Sequence, residues 1–258
     1  MKLLVKAAKQ AQRTYFQRIL LYRFTSDNSP LRKGLQSTEC QWLCASSQEI
    51  LTAVRGLVEF RQNFISEAEE KALFKELEPG LRKKRYEFDH WDDAIHGFRE
   101  TERLQWGDDC ESVFRRVREV AFPKGSSLLG PVHVLDLDKA GYIKPHVDSV
   151  KVCLSSTVLC VVYSVLLFFM LFFLSFQFCG STIAGLSLLS DSIMRLIPEN
   201  NSAEWLNLLL SRRSLYILRD DARFKYTHAI LKDEESFFAG QKVPRHRRIS
   251  VICRNLPV

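Results

Sequence analysis

Arg248-Ile249-Ser250-Val251-Ile252-Cys253-Arg254 is a short apolar run closed at each end by an arginine. It is too short for a typical helix and rich in β-branched residues, so it reads as a buried strand. From Pro131 onward the chain repeats the pattern: residues 132–137, 183–189, 193–197, 206–210, 215–218 and 224–231 are brief apolar runs bounded by Gly, Pro, Ser, Asp or Asn. Many short strands with turn residues between them point to a mainly β fold with flanking helices, a double-sheet jelly roll. This is the cupin-like, double-stranded β-helix barrel, which brings residues distant in sequence to one mouth.

Before Pro131 the period is helical. Ser66-x-x-Glu69 is a capping-box pattern, and Leu73, Phe74, Leu77 and Leu81 follow at helical spacing. Pro79-Gly80 predicts a kink or a restart in that helix. Residues 110–122 repeat the pattern, with Val113, Phe114, Val117 and Val120 inward. These helices are expected to brace the outer sheet, and 39–59 reads as a connector.

Two imidazoles and a carboxylate stand among the strand patterns: His146-Val147-Asp148, then His228. That ligand set occupies one face of ferrous iron and leaves positions for a chelating cosubstrate and dioxygen. Arg248 and Arg254 come later, and a guanidinium grips a carboxylate in fork geometry, as recognition of a dicarboxylic acid requires. Each signal alone is weak. A His-x-Asp also describes a surface pair, a lone histidine is more often a satisfied core residue, and Arg245-His246-Arg247-Arg248 reads by itself as a solvated turn. Their common setting among strands is what joins them.

The formal charge of +7 is not spread over the chain. Lys2, Lys6, Lys9, Arg13, Arg18, Arg23, Arg32 and Lys33 face a single acid, Asp27, within residues 1–38, and the remainder is balanced. A broad nucleic-acid-binding surface is therefore not expected, and Arg82-Lys83-Lys84-Arg85 reads as a solvated helix end. The basic opening, with apolar residues interleaved, has the composition of a mitochondrial transit peptide, so import into the matrix is expected. Seven cysteines show no Cys-x-x-Cys spacing and read as reduced thiols.

Five stretches carry a resemblance: residues 85–92 (RYEFDHWD), 94–102 (AIHGFRETE), 141–148 (GYIKPHVD), 182–189 (TIAGLSLL) and 248–254 (RISVICR). From about Phe60 to Leu256 the chain resembles the AlkB-like 2-oxoglutarate- and iron(II)-dependent dioxygenases. The resemblance implies Fe(II) bound by His146, Asp148 and His228, with 2-oxoglutarate and O2 as cosubstrates. Arg248 would take the distal carboxylate of 2-oxoglutarate with help from Tyr216, and Arg254 would lie near the keto-acid end. Without the family, Tyr216 reads equally as a core aromatic. Relatives that demethylate nucleic acids carry Asn and Tyr eleven and nine residues before the first metal histidine, where this chain has Leu135 and Leu137. Tyr86, Phe88, His90 and Trp91 are expected to pack helices on the sheet rather than to stack on bases. The expected partner is thus a protein substrate, with links to fatty-acid metabolism and programmed necrosis; a demethylase of mitochondrial RNA is the alternative, and a membrane-tethered or inactive interaction protein a third reading.

Residues 154–176 are uncharged and long enough to span a bilayer. They begin shortly after Asp148, inside the expected barrel. Removing 152–177 joins Lys151 to Phe178 and restores the family's pattern. Valine codons begin with GU and glutamine codons can end in AG, and eleven of the thirteen residues 164–176 are Ser, Leu or Phe, as a translated polypyrimidine tract would give. The segment is expected to be intron-derived, and a membrane contact is expected only if it is a genuine element.

Overall fold

The computed structural model of the chain describes residues 35–36, 41–88, 93–148, 151–153 and 176–257. The expected transit peptide, apart from Leu35 and Gln36, lies outside the described residues, as do His90, Trp91 and nearly all of the apolar run 154–176.

Fifteen strands follow in chain order among the described residues. The first five are β1 (Leu35–Gln36), β2 (Leu43–Ala45), β3 (Val58–Arg61), β4 (Ile95–Arg103) and β5 (Val132–His146). Then come β6 (Lys151–Cys153), β7 (Phe176–Phe178), β8 (Thr182–Leu188), β9 (Ser192–Pro198) and β10 (Leu206–Leu210). The last are β11 (Ser214–Arg219), β12 (Tyr226–Ile230), β13 (Phe237–Phe238), β14 (Gln241–Lys242) and β15 (Arg248–Arg254). Four α-helices are interspersed: α1 (Gln48–Ala53), α2 (Glu67–Leu81), α3 (Asp108–Ala121) and α4 (Asp221–Phe224).

The jelly roll turns on β5. Its first half pairs with β15, with Arg248 opposite Leu137 and Ile252 opposite His133. Its second half pairs with β12, with His228 opposite His146. One strand thereby joins the two arms of a continuous eleven-stranded sheet, β5-β15-β8-β11-β3 and β5-β12-β9-β10-β2-β1, which form the two sheets of the jelly roll, while β4 follows it along the other edge. At the crossing, β4 supplies only Gly97 where β5 passes from Leu137 to Tyr142. Gly97 has a φ of 62°, and a Cβ on Gly141 would meet the Gly97 carbonyl oxygen at 2.5 Å. Two glycines meet there because neither backbone leaves room for a side chain.

Alternation along the strands builds two cores. Val134, Leu186, Leu215, Ile249 and Val251 face outward and pack with Leu73, Leu77, Leu81, Val113, Phe114 and Val117 of α2 and α3. Leu135, Leu137, Tyr216, Leu218, Met194, Leu196 and Leu208 fill the space between the sheets. The capping box forms as expected at Ser66 and Glu69. The restart allowed at Pro79-Gly80 does not occur: α2 continues to Leu81, whose burial and that of Leu77 hold the last turn against one missing N–H. Residues 39–59, expected as a connector, contribute β2, α1 and part of β3, because Leu43, Ala45, Ile50 and Val54 are buried. The run 224–231 divides into the end of α4 and β12, and β4 went unrecognised as a strand. No helix among the described residues is long and apolar enough to cross a membrane.

On the helix side of the first sheet sits a fully buried carboxylate, Asp136. Arg99 Nε reaches it at 2.7 Å from the adjacent strand, and Arg247 Nη2 at 2.8 Å from the segment entering β15. Arg247 also pairs with Glu78 of α2 at 2.6 Å, and Arg99 lies 4.4 Å above the ring of Tyr86. Burial opposes the charge on Arg247, yet these two carboxylates raise its pKa. The network ties one helix to three segments of the sheet. Asp136→Ala leaves two guanidinium groups facing each other without their common partner, so unfolding in urea should show a loss of about 3–5 kcal/mol; a loss under ~1 kcal/mol would assign the network no structural role.

β6 and β7 form a separate two-stranded ladder, with Lys151 opposite Phe178 and Val152 opposite Gln177. The chain therefore returns to the point it left. Residues opposite each other on antiparallel strands have Cα atoms roughly 4.5–5.5 Å apart, close to the ~3.8 Å of bonded neighbours. Deleting 152–177, which bonds Lys151 to Phe178, is expected to yield a soluble protein with one cooperative thermal transition. A deleted protein that stays unfolded would make the segment part of the barrel.

Candidate active site

The two sheets enclose a cavity of about 110 Å³. All six residues expected for the site line it: His146, Asp148, Tyr216, His228, Arg248 and Arg254. Register explains the meeting of His146, Asp148 and His228. His146 ends β5 directly opposite His228 on β12, and Asp148, two residues on, falls on the same side.

His146 Nε2 lies 3.2 Å from Asp148 Oδ1, and His228 Nδ1 lies 4.0 Å from Asp148 Oδ2. The remaining ring nitrogens face backbone carbonyls: His146 Nδ1 is 3.0 Å from the Lys144 oxygen and His228 Nε2 is 3.0 Å from that of Ala222. A carbonyl behind an imidazole fixes which nitrogen offers its lone pair, here Nε2 of His146 and Nδ1 of His228. His146 then has oxygen acceptors at both nitrogens, an arrangement that calls for a second proton or a metal ion. Two ligands of one ion with bonds of about 2.1 Å stand roughly 3 Å apart, which the His146–Asp148 pair meets. The His228 contact is wider, and among the described residues no three such side chains are drawn into a closed metal cluster. Burial lowers the pKa of His228, favouring the neutral imidazole that a ligand must be. Burial opposes the charge of Asp148 too, but His146, His228 and Arg254 hold its carboxyl well below the usual range. The donor set fits ferrous iron.

The far end of the cavity suits an anion. Arg248 is 1% exposed; its Nε donates to Ser187 Oγ at 3.2 Å, and its Nη2 has no partner. Burial works against its charge and the Tyr216 phenol favours it. Tyr216 lies across Gly185, where a Cβ would come within 2.3 Å of the ring, so glycine is what admits the phenol to the cavity. Ser250 Oγ and Arg254 Nε are also buried without partners. Unused donors of this kind in a cavity wall fit the carboxylates of a dicarboxylic acid such as 2-oxoglutarate.

Sequence reasoning missed several neighbours. Ser250 was legible, since period two puts it on the face of Arg248 and Arg254. Ser187 and His133 carried no signal. Neither did Arg223 on α4, which is fully buried beside Asp148 and Cys179, with the Cys179 thiol the polar side chain nearest to bonding its guanidinium. The run 245–248 is no solvated turn: Arg245 and Arg248 are buried, and Arg245 donates to the carbonyls of Leu231 and Gly141. Phe88, expected to pack helices on the sheet, is 61% exposed, because the segment beyond α2 carries it off the core.

No protein-family model matches the chain. It is 50% identical over 216 residues to the mitochondrial alpha-ketoglutarate-dependent dioxygenase alkB homolog 7 of Bos taurus, covering 84% of this chain and 86% of the relative. The Mus musculus counterpart is 51% identical over 218 residues, covering 84% and 87%. The chain belongs to this family of mitochondrial, 2-oxoglutarate-dependent dioxygenases. Solved structures that resemble it include a Trichoplax adhaerens prolyl hydroxylase in complex with a hypoxia inducible factor peptide (TM-score 0.49, 9% identity, 80% of this chain and 87% of that one). Another is a viral collagen prolyl hydroxylase from Paramecium bursaria Chlorella virus-1 (TM-score 0.47, 13% identity, 78% and 97%). For a member of this family the Arg248 fork is open to a direct test. Arg248→Lys is expected to weaken 2-oxoglutarate binding by roughly 10–100-fold, because an ammonium cannot reproduce the planar pair of donors. Calorimetry with Mn(II) in place of iron measures it, and an unchanged affinity would move the role to Arg254.

Proposed function

We propose that this dioxygenase couples the decarboxylation of 2-oxoglutarate to hydroxylation of a protein side chain, with iron(II) held by His146, Asp148 and His228. The observation that carries the substrate class is the wall formed by β4 and the first half of β5. It holds Leu135 and Leu137 where the resemblance places Asn and Tyr in nucleic-acid demethylases. Opposite residues on paired strands share a face, so β4 turns Phe98, Glu100 and Glu102 to the cavity side of the sheet. Glu100 and Glu102 lie on this face of the sheet outside the cavity lining, and a phosphate backbone laid along it would meet carboxylates, whereas RNA-binding sites present cations. A peptide suffers no such repulsion.

When bound, iron(II) with 2-oxoglutarate and dioxygen supplies the oxidant that places one oxygen atom in a C–H bond, with succinate and carbon dioxide as co-products. The chain's own residues do the rest. Arg248, Tyr216 and Ser250 grip the distal carboxylate, Arg254 faces the keto-acid end, and the apolar Ile143, Met194 and Leu218 exclude water. The links to fatty-acid metabolism and necrosis implied by resemblance would be downstream of that protein substrate.

Incubation of the full chain with Fe(II), 2-oxoglutarate and either a digest of mitochondrial protein or mitochondrial RNA tests the reading. Succinate should rise with peptides and not with RNA, and Asp148→Ala should abolish it by removing the one carboxylate of the ligand set. Stimulation by RNA alone would overturn the protein substrate.

A further inference from the structure

We propose that His133 is the residue that positions the substrate, accepting a hydrogen bond from a peptide amide N–H; this deepens the protein-substrate reading and rests on it. On the inward face of β5, where Leu135 and Leu137 are apolar, His133 is the polar side chain. It lines the same cavity as His146, Asp148, His228 and Arg254. Because it stands opposite Ile252, it belongs to the Arg254 end, away from the Arg248 end that suits the distal carboxylate. Its side chain is 20% exposed and that of Asp148 22%, so both reach from the cavity wall toward solvent.

The chemistry of the ligand follows from the other side of the ring. His133 Nε2 lies 2.9 Å from Glu100 Oε2. A carboxylate only accepts, so Nε2 carries a proton toward Glu100, and the tautomer this bond selects has its lone pair at Nδ1. That nitrogen makes no hydrogen bond among the described residues. 2-Oxoglutarate has oxygen acceptors and no donor, so it cannot satisfy the lone pair. An N–H or O–H of the substrate can do so in place of solvent, and a peptide provides amide N–H groups at every residue but proline. The His133–Glu100 bond is not needed to join the strands. Glu100 stands opposite Leu135, so the bond runs diagonally across a ladder that extends from Ile95 to Arg103 and is already fastened by Arg99 and Asp136.

The test uses the full chain, with His133→Phe, which has no acceptor, and His133→Gln, which keeps one. With a mitochondrial peptide digest as probe, the Phe variant should need about tenfold more peptide, or worse, for half-maximal succinate formation, as expected for a lost hydrogen bond to a desolvated amide. The Gln variant should recover part of that loss. Affinity for 2-oxoglutarate, read calorimetrically with Mn(II), should stay within about twofold, less than the loss of a hydrogen bond would cause. Weakening of 2-oxoglutarate binding in step with peptide use would overturn the proposal, as would peptide use that does not change. If wild-type protein responds to RNA and not to peptides, the functional reading falls separately. 15N NMR of the histidine side chains then still decides His133: an unprotonated Nδ1 supports the acceptor role and a protonated one refutes it.

Discussion

A strand that must serve two sheets cannot be replaced by two ordinary ones. β5 is fifteen residues long, and its halves pair with β15 and with β12. This sharing sets the distance between the candidate metal ligands, at the end of the second half and on the strand paired with it, and the arginines of β15, the strand paired with the first half. A further irregularity between His228 and Ile230 lets both Ile143 and His146 reach the cavity, although they are three residues apart. Strict alternation would have turned one of them away.

The same alternation separates two uses of arginine at adjacent positions. Arg247 turns to the helix side and meets Asp136 and Glu78, whereas Arg248 turns inward and keeps a donor unused. One is a structural cation matched by carboxylates; the other is a cation whose anion is expected to come from solution. Burial disfavours charge on both, and what differs is the partner. The outer network thus fixes the strand that presents the inner guanidinium, and damage to Asp136 would be felt as a displaced Arg248 before the fold is lost.

Much of this was legible in the residue order. The strand runs after Pro131, the capping box at Ser66 and the inward stripe of α3 rest on local periodicity, which a sequence displays directly. Five of the six residues that line the cavity stood out as two histidines, a carboxylate and two arginines set among strands, whereas Tyr216 was singled out only by the family resemblance. Long-range pairing is what a single sequence conceals. β2 and β3 are short, mixed segments that become strands only because β10 and β11 offer them an edge. β4 carries charged residues on both faces, so its alternation was hidden. Asp136, Arg223 and His133 are ordinary polar residues until the fold shows what surrounds them.

The ladder of β6 and β7 has a consequence for how this fold can change. When both ends of a segment are pinned side by side, the entropy of closing it grows only with the logarithm of its length, roughly 0.6 kcal/mol for each doubling. At the junction between Lys151 and Phe178, loop entropy therefore sets little limit on the length of segment carried. That junction lies three residues past Asp148, so length variation tolerated by folding arrives beside the chemistry. Alternative splicing or insertion at this point would alter access to the cavity without redesign of its walls, a route by which one scaffold acquires different selectivities.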